Sequence, residues 1–164
     1  LEAGNLNDVV RDVHELLTAQ ATESGTELRL RLDEEMPLSA YEAEAIHRAV
    51  LNIAGNALDA VSGQEKGVVE IRTGAADDGS DVWIEVADNG PGIPQEQHEE
   101  LFSLFRSTKG TSGTGIGLAV SQKILREHGG DIMIESEPGK GCRFRMIWPN
   151  FEDESRNSAR RTQG

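Results

Sequence analysis

Apolar residues recur along this chain at two different periods, and the switches between them outline its elements. In NLNDVVRDVHELLTAQA, Leu6, Val9, Val10, Val13, Leu16 and Leu17 return every three or four positions, the spacing of one helical face. TELRLRLDEEMP alternates instead, with Leu28, Leu30 and Leu32 on one side, and reads as a strand ending before Pro37. SAYEAEAIHRAVLNIAGNALDAV resumes the helical period, with Ile46, Ala49, Val50, Ile53, Ala57 and Val61 toward the core. Ser39, with Glu42 three residues on, has the spacing of an N-terminal capping box. GVVEIRTGAADDGSDVWIEVADNG is two alternating runs about DDGS, the signature of a hairpin. PQEQHEELF predicts a helical turn, and a further helix runs from about Gly115 to His128, closed by Gly129 and Gly130. DIMIESE and CRFRMIWP predict two last strands about the turn PGKG. Helices interleaved with hairpins predict an α+β fold: a two-layer α/β sandwich, helices on one face of a mixed, mainly antiparallel sheet. The stretch 150–164 is polar and aperiodic, and is expected to be a disordered tail or linker after a single domain over 1–149.

Composition narrows the function. At 164 residues the chain can build one sizeable core. A net charge of −13 argues against a nucleic-acid groove binder, because phosphate contacts need clustered Lys and Arg. It also means that a polyphosphate would have to be met locally, by backbone dipoles, a few cations and a divalent metal. Cys142 is the only cysteine, which excludes a disulfide framework or a thiolate zinc cluster and suits a reducing compartment. No apolar run reaches membrane-spanning length. A cytoplasmic domain without membrane contact is therefore expected, whether or not the parent protein is anchored. The chain opens inside a helical pattern, as a piece of a longer protein would.

Three features carry candidate chemistry. SGTGIGLAVSQKIL packs Gly113, Gly115 and Gly117 at a helix start, where closely approaching backbone N–H groups favour an anion. It is not a Walker loop, since Ile116 stands where lysine is required, nor a dinucleotide fingerprint, which would need glycine at Leu118. Alone, it fits a flexible helix-capping loop better than a phosphate site. Asp88 continues the buried row Val82, Ile84, Val86 with a carboxylate. It reads either as the cap of the turn NGPGIP or as an acceptor at the floor of a ligand pocket. Asn52 and Asn56 stack at i, i+4 on the long helix among the small residues Ala54, Gly55, Ala57 and Ala60. They are either a polar edge or a wall that aims amide oxygens at a hard cation such as Mg²⁺.

Taken in order, LNIAGNALDA, VADNGPGIP, LFSLF and GTSGTGIGLAV resemble the asparagine box, first glycine box, phenylalanine box and second glycine box of the ATP-binding catalytic domain of sensor histidine kinases. The ending REHGGDIMIESEPGKGCRF is similar to that family's closing helix and strands. NALDA and STKGTSGTGIGLAVSQKI look most like the nitrogen-regulation type. The resemblance runs from about Leu6 to Pro149 and implies the Bergerat ATP-binding fold, with residues 1–22 an opening helix that follows a dimerisation domain. It implies that Asp88 accepts from the adenine amino group, with Gly90, Gly92 and Ile93 closing around the base. Asn56 would ligate Mg²⁺, with Asn52 one turn earlier contributing to the metal or phosphate region. Gly113, Thr114, Gly115, Ile116, Gly117 and Leu118 would line the triphosphate. Phe102 and Phe105 would move with a lid spanning Ser107 to Ser112, and Lys109, more than Arg106, would meet the γ-phosphate.

Related ATPases of the same superfamily carry a general-base glutamate where this chain has Asn52. An amide cannot take a proton from water at neutral pH, so transfer to a protein nucleophile is favoured over hydrolysis. The implied reaction is Mg²⁺-dependent transfer of the ATP γ-phosphate to a histidine on a separate dimerisation domain of the same homodimeric protein, then relay to a response regulator. A hydrolysing superfamily ATPase and an inactive nucleotide-binding module are the alternatives. The acceptor is not expected here. HELLT at His14 resembles the phosphoacceptor box only loosely, with Leu17 and Ala19 in place of its arginine and proline. His47 and His98 read as surface positions, and His128 as a helix C-terminus favourable to the dipole.

Overall fold

The computed structural model describes residues 2–94, 96 and 114–150, with the backbone alone at 114–116. In chain order the elements are β1 (Glu2–Gly4), α1 (Leu6–Glu23), β2 (Glu27–Arg31), β3 (Ser39–Tyr41), α2 (Ala43–Val61), β4 (Val68–Ala75), β5 (Asp81–Asp88), α3 (Thr114–Glu127), β6 (Asp131–Ser136) and β7 (Cys142–Pro149). Five strands form one mixed sheet in the order β2-β4-β5-β7-β6. Only β2 and β4 run parallel; every other pair is antiparallel. The three helices among the described residues pack on one face of this sheet, as the two periodicities predict.

The core lies between these layers. Val10 and Val13 of α1, Ile46, Val50 and Ile53 of α2, and Leu118 and Leu125 of α3 meet Val69, Ile71, Val82, Ile84, Val86 and Met146 from the sheet, each at most 2% exposed. A side chain of this size contributes roughly 1.5–3 kcal/mol when fully buried. A small polar cluster locks the opening of α1: Thr73 Oγ1 donates to Asn7 Oδ1 at 2.6 Å, and Asn7 Nδ2 donates to the Asp33 carbonyl at 2.8 Å. Gly129, at φ +80°, ends α3, and the Gly130 N–H reaches back to the Leu125 carbonyl at 2.9 Å, a Schellman closure.

Two expectations, for Ser39 and Leu16, are corrected, and that for His128 is refined. Ser39 does not cap α2; it is buried in β3, a short strand paired with β1, and the helix starts only at Ala43. Tyr41 draws this segment extended, because its ring is buried and its hydroxyl donates to the Asn5 carbonyl at 3.3 Å. Glu42 takes the N-cap position without a side-chain cap bond, and its own N–H donates to His128 Nε2 at 3.1 Å. His128 does stand at the C-terminal end of α3, as expected, but it is buried there. It is 4% exposed, its Nδ1 lies 2.8 Å from the Ile124 carbonyl, and its ring stands edge-on to Trp148. Both contacts are met by the neutral tautomer that carries its proton on Nδ1. Leu16, finally, is 61% exposed; Val13, Leu17 and Ala21 fill the core stripe of α1 without it.

Among the described residues, no helix is long and apolar enough to cross a membrane. The turn at PQEQHEELF falls almost entirely outside the described residues, as do Phe102, Phe105, the lid from Ser107 to Ser112 and the tail after Asn150.

Candidate functional site

Strand β5 delivers Asp88 to the inner, helix-facing side of the sheet by simple alternation, after Val82, Ile84 and Val86. There the chain breaks away from the sheet, and a cavity of about 350 Å³ opens between the strand ends and α2. Asp88 lines it together with Asn56, Ala57, Asp59 and Ala60 of α2, Pro91, Gly92 and Ile93 of the following loop, Leu118 of α3, and Cys142 and Phe144 of β7. Apolar walls around a few polar groups are the usual make-up of a small-molecule site.

The turn-cap reading of Asp88 holds in the geometry, and the same side chain borders the cavity. Its Oδ1 accepts the Gly90 N–H at 2.8 Å, which caps the turn, and its carboxyl also faces the cavity. Burial pushes this carboxyl above the usual aspartate range, against the opposing pull of the Gly90 and Cys142 backbone N–H groups. Cys142 lies directly across the β5–β7 pair from Asp88. Its thiol is pushed up to about 11, chiefly by burial, with the neighbouring Asp88 charge adding to the rise.

Helix α2 spans the length of the site. At one end, the position a Cβ would take on Gly90 is 3.5 Å from the Ala60 carbonyl, so Ala60 backs the 89–93 loop. At the other end, the corresponding position on Gly117 is 3.3 Å from Asn52 Cβ, so Asn52 backs the first turn of α3. Asn56 lies midway on the same face. Eight residues of helix make this span about 12 Å.

The cavity therefore gathers Asn56, Asp88, Gly92, Ile93 and Leu118 from the predicted set. Gly90 holds the Asp88 carboxylate without lining the cavity. Asn52 faces α3 instead of the cavity. Thr114, Gly115, Ile116 and Gly117 form the first turn of α3, where backbone N–H groups have no partner within the helix. Lys109, Gly113 and Arg106 lie outside the described residues. Ala54 belongs to the core, and a Cβ on Gly55 would meet open space, so neither builds the wall. Asp59, Pro91, Cys142 and Phe144 were missed. The last two could have been found by pairing CRFRMIWP with DVWIEVAD in register, which sets Cys142 against Asp88 and Phe144 against Val86. Of the histidines, His14 is engaged structurally, its Nε2 3.1 Å from the Leu28 carbonyl of β2. His47 is half-buried at the surface, and His98 lies outside the described residues.

The chain belongs to the histidine kinase-, DNA gyrase B- and HSP90-like ATPase family, whose model matches residues 41–152. Among curated relatives, it is 33% identical over 149 residues to the sensor histidine kinase ZraS of Escherichia coli O157:H7, covering 91% of this chain and 31% of that protein. It is 34% identical over 143 residues to the sensory histidine kinase/phosphatase NtrB of Vibrio alginolyticus, covering 82% of this chain and 40% of that one. The chain thus spans well under half the length of either. Among solved structures, the nucleotide-free catalytic domain of histidine kinase ThkA superposes with a TM-score of 0.77 at 29% identity, covering 92% of this chain and 99% of that one. ThkA has also been solved in complex with the response regulator protein TrrA. Full-length ShkA in complex with AMPPNP gives a TM-score of 0.79 at 29% identity, covering 91% of this chain and 31% of that one.

Proposed function

We propose that this chain is the catalytic ATP-binding domain of a sensor histidine kinase of the nitrogen-regulation-like type. It binds ATP and presents the γ-phosphate to a histidine on a separate dimerisation domain of the same protein. The observation that carries this reading is the single cavity shared by Asp88 and Asn56, with the α2 face running from the 89–93 loop to the first turn of α3. Purine at one end and phosphates at the other match that span. The AMPPNP-bound relative supports the choice of nucleotide.

Each residue then has a task. The Asp88 carboxylate accepts from the adenine amino group, its second acceptor role beside the Gly90 N–H. Gly92 and Ile93 border the base. The N–H groups at the start of α3, which have no acceptor within the helix, would with Gly113 before it receive the phosphates, Leu118 closes the site beneath them, and Lys109 meets the γ-phosphate as a point charge. The donor set fits Mg²⁺ that arrives with the nucleotide. Among the described residues no cluster of three or more His, Cys, Asp or Glu could hold a metal alone, so phosphate oxygens must supply most ligands, with the Asn56 amide, seconded by Asn52, completing them. Bound there, Mg²⁺ would neutralise phosphate charge as it is transferred. Asn52 leaves water without a base, which favours a protein acceptor.

On this reading residues 1–149 form the domain, 1–22 lead in from the dimerisation domain, and 150–164 are a tail or linker. The full protein is a cytoplasmic-facing homodimer that relays phosphate to a response regulator, as the ThkA–TrrA complex suggests for the partner class. Titration calorimetry with ATP, with and without Mg²⁺, followed by labelled ATP and an added histidine-bearing acceptor domain, tests it. Mg²⁺-dependent binding and acid-labile label on the acceptor are expected. Steady phosphate release indifferent to the acceptor would instead make the chain a hydrolase.

A further inference from the structure

The loop 89–93 borders the cavity yet has no regular secondary structure, so something else must set its position. Its start is tied on one side: Asn89 Oδ1 accepts the Val68 N–H at 2.7 Å, and Asn89 Nδ2 donates to the Lys66 carbonyl at 2.9 Å. Its far end is tied to the β6–β7 turn. The Gly139 N–H donates to the Pro91 carbonyl at 2.6 Å, and the Ile93 N–H donates to Ser136 Oγ at 2.7 Å. Ser136, the last residue of β6 and 9% exposed, donates its own O–H to the Gly141 carbonyl at 2.9 Å. One hydroxyl thus accepts from the cavity loop and donates to the turn. The two backbones already touch there, since a Cβ on Gly92 would run into the Glu137 carbonyl.

We propose that Ser136 is a positioning residue of the nucleotide site. Its hydroxyl latches Ile93 to the β6–β7 turn and so holds the purine-side loop at a fixed distance from Asp88. This rests on the ATP-binding reading above and names a determinant of that site that does not itself line the cavity. Ser136→Ala removes the latch on both sides, leaving the Ile93 N–H and the Gly141 carbonyl without this partner. Ser136→Thr keeps the hydroxyl.

The test measures ATP and ADP affinity by titration calorimetry, on protein whose folding is checked by thermal melting. Ser136→Ala should weaken ATP and ADP alike by about five- to tenfold, the worth of one hydrogen bond, with the Mg²⁺ dependence of ATP binding unchanged. Ser136→Thr should recover to within about twofold of the original affinity. Wild-type affinity in folded Ser136→Ala, or no recovery in Ser136→Thr, overturns the proposal. If Ser136→Ala does not fold, Ser136→Cys serves, because a thiol bonds weakly: weaker ATP binding than Ser136→Thr supports the latch, and equal binding overturns it. Absence of ATP binding by the unaltered chain would sink the functional reading itself, a separate result.

Discussion

Two carboxylates three residues apart on β5 have opposite lives. Glu85 points to the outer face of the sheet and is 3% exposed there. Arg145 Nε and Nη2 donate to its Oε2 at 3.1 and 2.8 Å, and Arg72 Nη1 lies 3.6 Å from Oε1. The Arg145 guanidinium is itself held over the Trp83 ring, 4.3 Å from its centroid. Asp88 points inward, and among the described residues no basic side chain pairs with it; backbone N–H groups and a cavity are its surroundings. A carboxylate whose charge is met within the fold serves the fold. One left half-desolvated beside a cavity costs stability and is positioned for something that enters it.

The largest effect that separates the two is expected from Arg145→Ala. Removing the half-exposed Arg145 leaves the buried Glu85 with Arg72 alone, and a loss of about 2 kcal/mol in stability is expected by urea unfolding. ATP affinity of the folded protein should stay within about twofold, because the pair lies on the other face of the sheet. A parallel fall in affinity would break the contrast. Asp88→Asn should do the reverse. Losing an ionised acceptor for the adenine amino group should weaken ATP by about tenfold or more in calorimetry. Stability without nucleotide should rise at neutral pH, since the amide oxygen can still accept the Gly90 N–H and no charge is buried. The sign follows from the upward shift of Asp88 on folding. Its favourable contribution is complete below the unfolded aspartate pKa and is lost as pH rises through the folded value. The advantage of Asp88→Asn in thermal melting should therefore shrink toward zero under acid conditions. An advantage that is constant with pH would mean that the carboxylate is not desolvated.

This contrast was half legible in the amino-acid sequence. Alternation alone placed Val82, Ile84, Val86 and Asp88 on one face, and the helical period placed Asn56 beside the core stripe of α2, because both depend only on local geometry. The same parity puts Glu85 outside, but nothing local says that Arg145, sixty residues on, would bury it. The strand order β2-β4-β5-β7-β6 and the presence of Cys142 and Phe144 in the cavity were hidden for the same reason: they arise from long-range pairing. Ser39 misled because a capping pattern weighed less than burial of Tyr41, and the burial of His128 was hidden because its partner Glu42 is eighty-six residues away. Short strands such as β1 and β3 carry too few residues for alternation to show. The order of the asparagine and glycine boxes, by contrast, was sufficient to point to the family.

The smallest effect tests whether Asp88 is charged where it stands. Cys142 is its partner across the β5–β7 pair, and the Asp88 charge contributes, after burial, to raising its thiol to about 11. At pH 8 a thiol near 11 is ionised about two hundredfold less than an ordinary cysteine near 8.5, so alkylation by iodoacetamide should be slower than in the urea-unfolded chain by about two orders of magnitude or more. Asp88→Asn removes the adjacent negative charge and should speed alkylation of the folded protein by a few-fold. Glu85→Gln, with its side chain on the opposite face, should leave the rate unchanged wherever the variant remains folded. Equal acceleration by both would mean that the thiol responds to loosened packing and not to the charge at Asp88. ATP should slow the reaction further in the unaltered protein by covering the same cavity wall.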